Sequence, residues 1–201
     1  VGSGAAGADL AGALLEAGCE VLLIEKDISA LTTGLKRIAM RQELAVQNRT
    51  LDPAEREARW ARLNGATDLS GLANVALAID SMPDTHPGKS AMLAEIDAAL
   101  PPLACMATFT GQQRLSDLAA VTSRPDAVAG LHLHGTGGVP KLAEVVLPES
   151  GAPLAARMLA ALLSRAGIVA VRAGPGDGVI AGPLLDGWRV AALRLLHGGA
   201  T

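Results

Sequence analysis

Three glycines at the start of the chain, Gly2, Gly4 and Gly7, constrain its fold more than any other feature. In the spacing G-x-G-x-x-G the first glycine permits a tight turn and the second lets backbone approach a bulky anion. The third lets a following helix pack close to a sheet. A helix is predicted from Ala8 to Glu16, stopped by Gly18. Val21 to Ile24 is then a continuous aliphatic run, which suits a strand buried on both faces. Glu25 ends that run, about 20 residues after the glycines, where an acid can bond the ribose hydroxyls of a dinucleotide. The pyrophosphate of such a ligand sits on the amides and positive dipole of the helix N-terminus. A carboxylate there repels a 2′-phosphate, so NAD is expected rather than NADP. The chain has 23 glycines, and an ordinary glycine-rich turn would explain the triplet taken alone. Triplet, helix, strand and terminal acid in that order are a much stronger signal.

A fingerprint of this kind normally follows a strand of about five or six apolar residues. Here Val1 directly precedes the first glycine, so the sequence reads as a fragment with a truncated first strand. Half of the chain is apolar and 18% is charged, the balance of a globular protein with ample core. With one Phe, two Trp and no Tyr, that core must be built from small aliphatic side chains, as in tightly packed helix-on-sheet layers. The net charge of −3, the lack of a basic run and the few aromatics argue against nucleic acid as a partner. Cys19 and Cys105 stand far apart in apolar stretches and read as buried small hydrophobes, not a disulfide or a zinc site. Arg157 and Arg165 interrupt the best candidate for the about 18 uncharged residues a membrane span needs. With no signal peptide read either, a cytoplasmic or organelle-matrix setting is expected.

Further along, a long polar-faced helix is predicted over about 29–47, and Asp52-Pro53 opens another, with Asp52 as N-cap. This Arg-rich hairpin, about 29–63, reads as an excursion from the core. Strands are predicted at Val75–Ile79, Ala104–Thr108, Val128–Leu133, Leu142–Val146 and Ile168–Val171. Helices are predicted at Lys89–Ala99, Pro153–Ala166 and Ile180–His197. The alternation means an α/β fold of Rossmann type, doubly wound around a mostly parallel sheet. Residues 1–185 are read as the nucleotide-binding domain, and 186–201 as the start of a helix leading to a C-terminal domain.

His132 closes Gly130-Leu131-His132 at a strand end, and Glu144 lies inside the next strand. A Glu bonded to one imidazole nitrogen fixes the tautomer, and the other nitrogen can then take a proton from an alcohol as hydride leaves the same carbon. Spacing alone favours the blander pair, a surface His at a strand end and a solvated Glu on an edge strand. His132 and His134 share a strand face, but no third ligand accompanies them, so no metal is expected. His86 and His197 read as loop and helix-end residues.

Taken together, these residues resemble the 3-hydroxyacyl-CoA dehydrogenase family over nearly the whole chain. Val1-Gly2-Ser3-Gly4-Ala5-Ala6-Gly7 is similar to its V/I-G-A-G-x-M-G start, and Val21 to Glu25 to its apolar strand ending in Asp. Asn64 to Leu69 is similar to the short segment before its fourth strand. Ile79-Asp80-Ser81-Met82-Pro83-Asp84, with Lys89 beyond, resembles I-E-A-V-x-E/D…K, so the resemblance implies cofactor contacts at Asp80 and Lys89. Gly130-Leu131-His132 followed by Leu142 to Val146 resembles G-L/M-H-F-F-N-P…L-V-E-V, a pattern specific to this family. The resemblance implies that His132 is the catalytic base and Glu144 its orienting carboxylate, in NAD-dependent oxidation of a 3-hydroxyacyl-CoA within β-oxidation or a related pathway. It also implies a long arm beside the CoA, so Arg37 and Arg41 are candidates for CoA phosphates, with solvated helix faces as the alternative. Dimerisation or a multienzyme chain would come through a C-terminal domain after Thr201.

The departures are specific. The family's A-T/S-N-T-S-S stretch reads Ala107 to Gln112 here, which puts Gly111 at its active-site Ser. Gly135 stands at the Asn after the catalytic His, and Gly182 at the Asn of its closing G-F-I-V-N-R-L-L stretch. Gly111 and Gly182 are thus substrate-side positions stripped of a donor, with Thr110, Gln112 or Thr136 as candidates to compensate. Two readings follow, a working dehydrogenase or a degenerate domain that binds NAD or only scaffolds. His132 and Glu144 argue for the first, the three glycines for the second.

Overall fold

In the computed structural model, local signals set most helix ends where the sequence predicts them. The structure describes residues 1–83, 85, 87–111, 113–135, 140–148, 153–174 and 179–199. Helix α1 (Ala5–Glu16) starts at Gly4, and strand β1 (Val21–Ile24) follows. Asp27 caps α2 (Ile28–Gln47) by accepting from the amide of Ala30 at 2.8 Å. Asp52 caps α3 (Pro53–Trp60) through Ala54, with Pro53 in the first turn, where its missing N–H costs nothing. Then come β2 (Leu63–Ala66), β3 (Leu77–Asp80), α4 (Lys89–Ala99), β4 (Cys105–Phe109) and α5 (Leu115–Ala119). The chain continues as β5 (Val128–His134), β6 (Leu142–Val146), α6 (Pro153–Arg165), β7 (Val169–Ala173) and α7 (Ala181–His197).

Strands β3 to β7 form one sheet in sequence order, parallel throughout except for the antiparallel pair β5–β6. Period-two alternation sorts its side chains onto two covered faces. Cys105, Ala107, Ala129, Leu131, Ala143 and Val145 meet Leu159 and Leu163 of α6. Met106, Val128 and Val146 belong instead to the cluster holding Leu93 and Ile96 of α4 and Leu115 and Leu118 of α5. Each fully buried Leu or Ile contributes about 1.5–3 kcal/mol of transfer free energy. Small residues on the sheet, Ala107, Ala129 and Ala143, let the α6 layer sit close, as the scarcity of aromatics predicts.

Strands β1 and β2 pair parallel with each other and stand apart from the larger sheet. Val1 and Gly2 lie between β1 and β3 and bond to both. The Gly2 amide donates to Ile24 O at 2.8 Å, and the Ser81 amide donates to Val1 O at 2.9 Å. Behind them is a cavity of about 730 Å³ walled by Leu10 and Leu14 of α1, Leu22 of β1, Ile79 of β3 and Leu162 of α6.

Two expectations change. The hairpin 29–63 is no mere excursion, because α2 buries Leu31, Gly34 and Ile38 against α1 and β1. Cys105 is buried as expected, but Cys19 is only half-buried. At the other end α7 runs unbroken across residues 185 and 186, with Pro183 in its first turn, and buries none of its residues. No helix among the described residues is long and apolar enough to cross a membrane.

Candidate active site

The glycine turn has the geometry a pyrophosphate needs. Gly2 takes φ +93°, which side chains disfavour, and a Cβ on Gly7 would overlap Gly2 O and the Ser81 hydroxyl. At Gly4 a Cβ would meet nothing within 4 Å, so the approach to the turn is open. No side chain caps α1, which leaves its first amides for an anion. Glu25 lies over this turn, bonded by the Ser3 amide and by the Ser3 hydroxyl at 2.8 Å. These residues fit a dinucleotide with an acid at its ribose. Ser3 and Ser81 carry no motif signal, yet Ser81 ties the end of β3 to the turn through Gly2 O at 2.8 Å.

Asp80, at the end of β3, and Lys89, at the start of α4, are both buried. Both side chains are 1% exposed and joined at 2.7 Å. Asp80 also accepts from the Thr108 hydroxyl at 2.8 Å and the Met82 amide at 3.0 Å, while Lys89 donates to Met82 O at 2.7 Å. Together these bonds clamp the backbone beside the glycine turn. Arg37 and Arg41, the candidates for CoA phosphates, lie on α2, which packs along α1. Arg37 reaches Ser3 O at 3.4 Å, and Arg41 forms an ion pair with Asp9.

Near the C-terminal end of β5, antiparallel register sets His132 directly opposite Glu144. The expected bond between them is not made. Glu144 Oε1 takes His134 Nε2 at 2.9 Å, and His132 Nδ1 faces Thr110 O at 3.2 Å. The physical reason is that β5 runs through His134 and puts both imidazoles on one face, their ring centroids 4.5 Å apart. Glu144 also accepts from the Ile180 amide at 2.6 Å and the Ala181 amide at 2.9 Å, at the open end of α7.

Burial pushes the Glu144 carboxyl up, but the two amides and the His134 ring outweigh it and hold the group below the usual carboxylate range. A depressed value stabilises the fold above the unfolded pKa, and that stability is lost as pH falls through the folded one. Denaturant melts should therefore show wild type and Glu144→Gln converging as the pH is lowered toward that range. A gap that stays constant would count against an ionised Glu144.

Gly111 follows Thr110, and Gly182 follows Ala181, so both adjoin the histidine site by chain position. A Cβ on Gly182 would stand 3.2 Å from Val179 Cγ2, a tight fit for the Asn of the family pattern. Gly135 takes φ +151°, so its glycine is required by the backbone and is not simply an Asn that lost its side chain. Of the other sequence candidates, His197 is exposed at the end of α7, while His86, Gln112 and Thr136 lie outside the described residues. No group of three metal-binding side chains occurs among the described residues.

A glycine turn with an acid over it, at one end of a mostly parallel sheet that carries a histidine–carboxylate site, defines a dinucleotide-binding domain of an oxidoreductase. Residues 1–175 match the model of the 3-hydroxyacyl-CoA dehydrogenase NAD binding domain, and the chain belongs to that family. It is 28% identical over 204 residues to a 3-hydroxybutyryl-CoA dehydrogenase of Mycobacterium tuberculosis, covering 99% of this chain and 70% of that protein. A 3-hydroxyadipyl-CoA dehydrogenase of Escherichia coli is 32% identical over 146 residues, 73% of this chain and 31% of its own length. The crystal structure of M. tuberculosis FadB2 superposes with a TM-score of 0.92 at 29% identity, over 98% of this chain and 70% of that one.

Proposed function

We propose that this protein oxidises the 3-hydroxyl of an acyl-CoA to the ketone, with His132 as proton acceptor. The observation that carries the reading is the bond to Thr110 O. A carbonyl only accepts, so His132 Nδ1 must donate, and in the neutral ring Nε2 is left as the bare acceptor. An alcohol O–H placed on Nε2 gives up its proton there as the C3–H bond breaks. NAD, when bound, takes the hydride from that carbon, so ketone, NADH and one proton balance the alcohol and NAD. The Glu25 carboxylate, fixed by Ser3, would bond the ribose and repel a 2′-phosphate. Ile180 at the start of α7, and Leu184 and Trp188 within it, are exposed. That exposure supports reading 186–201 as the lead into a further domain, through which a homodimer or multienzyme chain would form. The expected setting is the cytoplasm or an organelle matrix.

The test is consumption of NADH with acetoacetyl-CoA by the intact protein. Turnover with NADH and little with NADPH is expected. Glu25→Ala should weaken NAD binding about 10- to 100-fold by calorimetry, the scale of one charged hydrogen bond. No turnover on acetoacetyl-CoA in a protein that binds NAD would sink the substrate assignment. Equal NAD affinity in both forms would sink the role of Glu25.

A further inference from the structure

His134 stands where the resemblance places an aromatic residue, and it holds the carboxylate expected to serve His132. Period two on β5 sets both rings on the face that Glu144 shares, with His134 opposite Leu142. Glu144 is 3% exposed and leans from its place opposite His132 to the next imidazole along. A carboxylate only accepts, so His134 Nε2 carries the hydrogen. The Ile180 and Ala181 amides fix the carboxylate from the other side. The His134 ring, bonded to the carboxylate, also meets the His132 ring, tilted by 60° with centroids 4.5 Å apart.

We propose that His134 is a positioning residue for the reaction. It occupies Glu144 and, through ring contact, holds His132 in the orientation in which Thr110 O fixes its tautomer. The carboxylate then acts on His132 only through His134. This rests on the reading of His132 as proton acceptor.

Steady-state kinetics of the intact protein with acetoacetyl-CoA and NADH test it. His134→Phe should lower kcat about tenfold or more, the scale on which an imidazole's hydrogen-bonded support acts, with both KM values within about twofold. His134→Gln returns an N–H donor to Glu144 and should recover most of the loss. Combining His134→Phe with Glu144→Gln should cost no more than the worse single, because both break one chain of contacts. An unchanged or raised kcat in His134→Phe overturns the proposal, since the carboxylate would then serve His132 directly. Additive losses overturn it as well. Nitrogen NMR of the histidine rings gives a readout independent of turnover. Glu144→Gln should move the His134 signals and leave the His132 tautomer in place, and the reverse result overturns the pairing. Absence of wild-type turnover would count against the substrate assignment alone, leaving the NMR result to judge His134.

Discussion

Replacing His132 with Gln is expected to lower kcat at least about a hundredfold, the usual worth of a positioned proton acceptor. Gln keeps an N–H for Thr110 O and much of the side-chain volume, so the fold should tolerate it. What it lacks is a basic nitrogen on the substrate side. NAD affinity should stay within about threefold, because Glu25 follows β1, which belongs to a different sheet from β5. Because the interaction lost is made only as the proton moves, kcat and kcat/KM should fall together. Steady-state kinetics beside calorimetric titration with NAD would show the split. Near-normal turnover would take the proton from His132 and give it to another group, with His134 the first to examine.

Lys89→Met should cost about 3–5 kcal/mol of stability, the range for removing one partner of a buried ion pair. Met keeps most of the aliphatic stem, so the loss measures the charge and its bonds, not a cavity. Asp80 would be left a buried carboxylate without the ammonium it pairs with, keeping the bonds from Thr108 and the Met82 amide. Adding Asp80→Asn should restore a large part of the loss, because the uncompensated charge then disappears. Urea melts of the two singles and the double would read this directly. A Lys89→Met cost below about 1 kcal/mol would show the pair to be dispensable to the fold.

Much of this fold is legible in the sequence because its signals are local. Asp52-Pro53 announces a helix start by chemistry that needs no distant partner, and the run Val21–Ile24 needs only a covered sheet. Strand β2 is harder, because Leu63-Asn64-Gly65-Ala66 reads as a turn and becomes a strand only by pairing with β1. The family resemblance paired His132 with Glu144, but which imidazole the carboxylate takes depends on side-chain rotamers and on the amides of α7, some 36 residues away. Asp80 and Lys89 were legible through the family motif as candidate cofactor contacts, but not as a buried ion pair. That they face inward was not legible either, since Thr108 arrives from another strand. Ser3 and Ser81 were illegible as site residues because a serine beside a glycine turn is commonplace.

The two ends of the site also differ in how far apart in the chain their partners lie. His134 and Glu144 are 10 residues apart, whereas Ser81 and Gly2 are 79 apart. Loop-closure entropy grows with the logarithm of that separation, so the second contact costs about 1.8 kcal/mol more to close. The histidine–carboxylate pairing rides on a local hairpin, β5–β6, which is the kind of contact that forms early in folding. The dinucleotide turn must wait for β3 to be brought home. Any loss of stability spread over the whole domain should therefore loosen cofactor binding before it disturbs the histidines.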